Sequence, residues 1–341
     1  MILVTGGTGL VGSHLLYFLV KDNKRVRALH RPSSDLQAVK TVFSYYNEAE
    51  AESLFNKIEW MVGDITQVPT LEKAFQEIEY VYHSAACVTF ETNRYYELKK
   101  TNIEGTANIV NLCIANNIKK LCHVSSIATL GSTNDGSLIS ESTEWDPEAN
   151  NNVYALTKYG AELEVWRGSQ EGLDIVIVHP GVILGEGIWS SPSGGIVKTL
   201  VKGLRFYTSG GVGFVDVQDV ARAMIGLLES SKRNQAYILV GKNSSYKESL
   251  QAFATALNAR LPNKEIQKWK LDIARRLDGF SSRVFRTRRK LEKSTVESLY
   301  TTAFYDNSKL KTELDFTFTS MDITMKRIAK HYLSGSESSS D

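Results

Sequence analysis

The sequence predicts an α/β protein: a doubly wound parallel sheet with a smaller, mixed C-terminal domain. Three observations carry this. Short apolar runs alternate with longer helical patterns through the first half of the chain. The runs are apolar at consecutive positions, as strands are when helices cover both faces of a sheet. A glycine-rich stretch at 5–12 separates the first run from the first helical pattern.

The elements follow in order. Residues 2–4 (ILV) read as a strand, 12–21 (GSHLLYFLVK) as a helix and 25–30 (RVRALH) as a second strand. Residues 59–63 (EWMVG) are a third strand, 71–78 a helix and 80–84 (YVYHS) a fourth strand. A long helical pattern spans 95–116, before a fifth strand at 120–125 (KLCHVS), a helix at 153–167 and a sixth strand at 174–180 (DIVIVHP). Beyond Gly181 the pattern weakens. Residues 185–213 are rich in Gly, Ser and Pro and read as loops. A helix at 216–229, a strand at 235–240 and a helix at 247–259 are the last clear elements.

Composition narrows the function. The 341 residues are enough for about two domains. Forty basic residues against 38 acidic ones leave a net charge of +2, so bulk charge gives no support for nucleic-acid binding. Cys87, Cys113 and Cys122 form no CxxC pair, which argues against a disulfide framework or a cysteine-based zinc site and for a reducing, cytoplasmic setting. No metal site is expected. No basic leader precedes the first strand, and no apolar run reaches the ~18 residues of a membrane span. Six basic residues crowd positions 283–293 (Arg283, Arg286, Arg288, Arg289, Lys290, Lys293). They suit an anionic partner or a membrane surface, but a solvated helix face produces the same pattern, and we read them so.

The stretch Thr5-Gly6-Gly7-Thr8-Gly9-Leu10-Val11-Gly12 places glycines at 6, 9 and 12, after a strand and at the start of a helix. Such a turn lets the backbone approach a pyrophosphate, and the helix N-terminus offers N–H groups to it. A plain strand-to-helix turn needs no such triplet. No GK[ST] follows, which excludes a P-loop. We therefore expect a dinucleotide-binding domain at 1–180 plus 214–240, a substrate-binding domain at 181–213 plus 241–331, and a disordered tail at 332–341.

The end of the second strand bears on the cofactor. An acid there would bind the adenosine ribose. The chain instead reads Ala28-Leu29-His30-Arg31-Pro32-Ser33. Arg31 suits a 2′-phosphate, so NADP is expected ahead of NAD, although a surface arginine would read the same. Tyr154 and Lys158 stand at i and i+4 on one helix face. An ammonium there is expected to lower the phenol's pKa and fit it for proton transfer. Ser125-Ser126 closes the fifth strand, at the carboxyl edge where such sheets bind ligands.

Together these residues resemble an extended short-chain dehydrogenase/reductase with a Rossmann domain. The motifs are TGGTGLVG at 5–12, GDI at 63–65, HSAA at 83–86, TNIEGT at 101–106, SSIATLG at 125–131, YALTK at 154–158, HPGVILGEG at 179–187 and NSKLKTELDF at 307–316. The resemblance implies that Ser126 holds the substrate oxygen, Tyr154 is the acid/base, and Lys158 binds the nicotinamide ribose and tunes Tyr154. It implies a further catalytic asparagine at Asn102. Gly6, Thr8, Gly9, Leu10, Val11 and Gly12 would hold the pyrophosphate, with Arg31 at the 2′-phosphate. Asp64 and Ile65 would flank the adenine, Ser84, Ala85 and Ala86 would line the cleft, and Pro180 and Val182 would border the nicotinamide. ALHRPSSD after the second strand resembles dihydroflavonol 4-reductase-like and 3β-hydroxysteroid dehydrogenase-like members. His179 departs from the arginine of many members. The helices at 95–116 and 153–167 resemble those of the family's dimer interface, implying a homodimer.

Three functions compete: an NADP-dependent oxidoreductase interconverting a carbonyl and a secondary alcohol, a nucleotide-sugar epimerase or dehydratase with bound NAD, and a non-enzymatic NADP sensor. His30 and Arg31 speak against the second, and the intact Tyr154–Lys158 pair against the third. Trp189, Phe206, Tyr207, Phe214 and Trp269 in the substrate region suggest an apolar small-molecule substrate, although core packing is the role expected for most of them.

Overall fold

Consecutive residues of the first strand point to opposite faces of a sheet, and both faces are buried. Val4 joins one apolar layer, with Leu15 and Leu19, and Leu3 joins the other, with Ile109 and Val165. This two-sided burial is why the strands read as unbroken apolar runs. The computed structural model describes residues 1–133, 135–285 and 292–337. Its first half runs β1 (Ile2–Thr5), α1 (Leu10–Lys21), β2 (Val26–His30), α2 (Leu36–Tyr46), α3 (Ala51–Phe55), β3 (Glu59–Val62), α4 (Val68–Ala74), β4 (Tyr80–His83), α5 (Tyr95–Leu98), α6 (Gly105–Ala115), β5 (Lys120–Val124), α7 (Val153–Gln170) and β6 (Ile175–Pro180). The second half holds β7 (Val182–Leu184), α8 (Pro192–Val201), β8 (Phe206–Tyr207), β9 (Gly211–Asp216), α9 (Val217–Glu229), β10 (Gln235–Leu239), β11 (Lys242–Ser245), α10 (Tyr246–Ala256), β12 (Lys264–Glu265), α11 (Lys268–Phe285), α12 (Lys293–Ser298), α13 (Ser308–Leu314) and α14 (Met321–Glu337).

Seven strands form one parallel sheet in the order β10-β6-β5-β4-β1-β2-β3. The order reverses between β1 and β4, so a crevice opens at their carboxyl ends, the position where doubly wound sheets bind ligands. A smaller mixed sheet, β11-β9-β7, pairs β9 parallel to β7 and antiparallel to β11.

Several elements differ from the sequence reading. The region 185–213 carries α8, started by Pro192 and capped by Ser191, whose hydroxyl accepts from Gly194 N–H. The domain boundary expected at 214 falls inside β9 of the small sheet, while α9 packs on α1 against the large one. The pattern at 95–116 is not a single α-helix: a π-helical segment, Lys99–Glu104, joins α5 to α6. Residues 332–337 of the expected tail belong to α14, which continues through Glu337, and residues 338–341 lie outside the described ones. Arg286, Arg288, Arg289 and Lys290 of the basic cluster also lie outside the described residues. Cys87 is half-buried with its thiol toward Glu97, unlike the buried Cys113 and Cys122. Among the described residues no helix is long and apolar enough to cross a membrane.

Candidate active site

The glycine turn lies in the crevice between β1 and β4. Gly6 has a φ of +73°, and a Cβ there would meet Ala85 N at 2.6 Å. A Cβ on Gly12 would meet the Gly6 carbonyl oxygen at 2.1 Å. Only glycine closes this turn against the end of β4. Gly9 caps α1 without a side-chain hydrogen bond, and no acid occupies the first turn. The helix therefore presents free N–H groups and its positive dipole end to the crevice, flanked by Thr8, Leu10 and Val11. Backbone donors held this close around an open crevice fit a pyrophosphate.

The other expected cofactor residues surround this turn in different ways. Arg31 is exposed just past β2, its guanidinium has no hydrogen bond among the described residues, and its charge reaches the Cys87 thiol in the loop after β4. Asp64 turns one carboxylate oxygen inward, accepting from the Thr66 N–H and hydroxyl at 2.8 Å each. Ile65 is buried beneath Gly105. The Ser84 hydroxyl donates to the Thr5 carbonyl at 2.8 Å, which fastens β4 to β1, while Ala86 is exposed. Pro180 is buried at the end of β6, and Val182 is half-buried just beyond it.

The acid/base candidates converge from β5 and α7. Asn152 caps α7 by accepting from Ala155 N–H at 2.8 Å, which fixes the start of the helix bearing Tyr154 and Lys158. Ser126 begins the 3₁₀ turn Ile127–Thr129 after β5, and its hydroxyl lies against the Tyr154 phenol. Phe90 packs edge-on to the Tyr154 ring, with centroids 5.5 Å apart. Lys158 donates to the Val124 carbonyl at 2.7 Å. Its charge also reaches His83, whose Nδ1 lies 2.7 Å from the Thr5 hydroxyl, immediately before the glycine turn. Tyr154 and Lys158 thus stand beside the crevice.

One electrostatic expectation is reversed. The surrounding protein desolvates Tyr154 and raises its pKa; the Ser126 hydroxyl opposes this, and Lys158 is not among the groups that move it. The desolvation falls on Lys158 too, whose pKa is lowered to about 8. Asn102 also departs from its expected role. It sits in the π-helical segment, where its amide donates to the Cys87 carbonyl and the Thr157 hydroxyl at 3.1 Å each and accepts from Cys87 N–H at 2.8 Å. These bonds consume the amide, so Asn102 positions the loop after β4 against α7 rather than facing the crevice. A π segment beside a functional site is a common placement.

Sequence reasoning missed a buried carboxylate. Glu162 lies four residues past Lys158, and its Oε2 accepts from the Ser125 hydroxyl at 2.6 Å and the Thr129 hydroxyl at 2.8 Å, with His179 Nε2 at 2.9 Å. Its pKa is lowered to about 2: burial raises it, and His179 together with the two hydroxyls overcomes that. The signal was present in the repeat of four, Tyr154-Lys158-Glu162.

A model of the Male sterility protein family matches residues 4–214. A putative dihydroflavonol 4-reductase of Synechocystis sp. is 30% identical over 272 residues, 78% of this chain and 75% of that protein. The chain belongs to the extended short-chain dehydrogenases/reductases. Within this NAD(P)-dependent oxidoreductase family, anthocyanidin reductase of Arabidopsis thaliana is 27% identical, covering 72% of this chain and 77% of the relative. The crystal structure of gox2253 superposes with a TM-score of 0.81 at 26% identity, covering 98% of both chains. The dTDP-glucose 4,6-dehydratase DesIV from Streptomyces venezuelae, solved with NAD and TYD bound, shares the fold at a TM-score of 0.76 and 18% identity, covering 98% of this chain and 97% of that one.

Proposed function

We propose that this family member is an NADP-dependent reductase that interconverts a carbonyl and a secondary alcohol on a small apolar substrate. The observation that carries the reading is the convergence of Ser126, Tyr154 and Lys158 at the crevice beside the glycine turn. The bound nicotinamide supplies the hydride. In the reductive direction Tyr154 hands its phenolic proton to the carbonyl oxygen, which becomes the alcohol. Ser126 donates to the same oxygen and holds it against the phenol. Lys158, fixed on Val124, donates to the nicotinamide ribose and holds the cofactor beside the phenol. Asn102 and Phe90 keep the loop after β4 packed on α7, which limits water around Tyr154.

Arg31, with its guanidinium unpaired among the described residues, supports NADP over NAD. A cavity of about 370 Å³ supports the apolar substrate. Val182, one of the residues expected to border the nicotinamide, lines it together with Phe206, Tyr207, Phe214, Tyr246 and Phe253. Two of the aromatics expected in the substrate region lie elsewhere: Trp189 packs edge-on to Tyr332, and Trp269 is 57% exposed. The exposed Leu156 and Leu163, seven residues apart on α7, support a homodimer across that face. NADPH oxidation against a panel of aryl and alicyclic ketones and aldehydes tests the reading. Turnover that Tyr154→Phe abolishes is expected, and turnover equal to wild type in that variant overturns it.

A further inference from the structure

We infer that Glu162 is a positioning residue for this site: it clamps the Ser126 turn from both ends and supplies the negative charge that Lys158 faces along α7. The inference rests on the reductase reading above.

Tyr154, Lys158 and Glu162 recur every four residues and so share one face of α7. That face is turned inward. Glu162 is 8% exposed and Lys158 2%. The Glu162 carboxylate grips the residue before Ser126 and the last residue of the turn that Ser126 begins, through the Ser125 and Thr129 hydroxyls. Thr129 also lies 2.8 Å from the Ser126 carbonyl oxygen, so the carboxylate, the two hydroxyls and the turn form one unit. His179 brings β6 into the same cluster, and Trp166 adds a longer contact to the other carboxylate oxygen at 3.3 Å. The Nδ1 of His179 is buried without a partner among the described residues, so its ring is oriented by Glu162 alone. Both Glu162 carboxylate oxygens are engaged within this buried cluster, so its role is positional. Its effect reaches the chemistry through Ser126 and Lys158.

Among the described residues, His83 from β4 and His123 from β5 feel the Lys158 charge, His179 from β6 adjoins His123, and Tyr154 and Glu162 lie on α7 itself. His83 and His123 are pushed by burial below the ordinary imidazole range and stay neutral. Among these groups Glu162 alone carries a formal negative charge near neutral pH, and it works against the desolvation of Lys158.

The test compares Glu162→Gln and Glu162→Asp with wild type by the pH profile of kcat/KM for NADPH-dependent carbonyl reduction, and by the NMR shift of the Lys158 side chain against pH in the cofactor-free protein. Loss of the charge in Glu162→Gln is expected to move the alkaline limb and the lysine titration to lower pH by roughly one unit. Glu162→Asp keeps the charge and is expected to keep the limb while raising KM through the loosened Ser126 turn. A lowered Tm in Glu162→Gln with the limb and the lysine titration unmoved assigns the residue a structural role and overturns the inference. If Glu162→Gln does not fold, the Ser125→Ala/Thr129→Val pair replaces it: a raised KM supports the clamp, and an unchanged KM overturns it. Failure of the reductase reading looks different, because wild type itself then shows no Tyr154-dependent turnover.

Discussion

Lys158 donates to the carbonyl oxygen of Val124 at 2.7 Å, tying a buried ammonium to the last residue of β5, two positions before Ser126. The lysine's place is thus set by backbone. Burial is also what brings its pKa to about 8, within reach of ordinary assay conditions. The protonated form is the stronger donor to the nicotinamide ribose of the proposed complex, so turnover in carbonyl reduction is expected to fall as pH rises through about 8. Lys158→Met retains the length and loses the charge, and is expected to lower kcat on the order of 10²-fold. Steady-state rates across pH 6–10 check both outcomes.

Tyr154→Phe keeps the edge-on packing with Phe90 and deletes only the hydroxyl. A general acid contributes roughly 10²–10⁴-fold, so kcat is expected to drop by that range. NADPH affinity, read by fluorescence titration, is expected to change little. A large loss of affinity would instead place the phenol in cofactor binding.

Arg31 is the residue proposed to set which dinucleotide binds. A charge-assisted hydrogen bond to a 2′-phosphate is worth about 1.5–3 kcal/mol, or roughly 10- to 100-fold in Kd. Arg31→Ala is expected to weaken NADPH by that factor and leave NADH unchanged. Equal effects on both cofactors would make Arg31 a general electrostatic contributor.

Much of this architecture was legible because its physics is local. Leu3 and Val4 are both buried on opposite faces, so the first strand announces a covered parallel sheet. Glycines 6, 9 and 12 announce a tight turn. What stayed hidden is polar and inward. Thr157, Lys158 and Glu162 occupy the buried side of α7, where a sequence pattern leads one to expect solvent. In sequence Glu162 is indistinguishable from surface charge, and its partner His179 shows only as a departure from the arginine of many members. The switch from α to π geometry around Asn102 leaves no mark in periodicity, and the Asn102 side-chain bonds to Cys87 and Thr157 inside it form only in the folded protein. The small sheet was missed for another reason. β7 has three residues and β11 four, too few to show a period.

Gly12→Ala tests the turn directly. The added methyl carbon would lie 2.1 Å from a backbone oxygen, and neither neighbour is a flexible side chain that could yield. The turn must open, at a cost of about 1–3 kcal/mol or more, and the free N–H groups of α1 lose their aim. Weaker binding of NADPH and NADH alike is expected, together with a lower Tm. This pattern distinguishes the pyrophosphate cradle from Arg31, whose loss is expected to affect NADPH alone.

The last prediction concerns how α14 is held to the rest of the chain. Arg327 reaches from α14 to Glu186 and Asp216, with 2.8 Å contacts to each. The two carboxylates are buried, with side-chain exposures of 1% and 0%, and Asp216 also accepts from the Thr324 hydroxyl at 2.6 Å and from Gln218 N–H at 2.8 Å. Asp216 ends β9 and caps α9, so one guanidinium links the C-terminal helix, the small sheet and the helix that packs on α1. Removing it leaves two buried charges without their cation. Breaking a buried pair in this way costs about 3–5 kcal/mol, far more than the pair's net worth. Arg327→Leu is therefore expected to lower stability by that amount in chemical denaturation. Arg327→Lys is expected to restore only part of it, because an ammonium cannot offer the separate Nε and Nη2 donors that address the two acids at once. Equal stability of the leucine variant and wild type would overturn this account of how α14 is held.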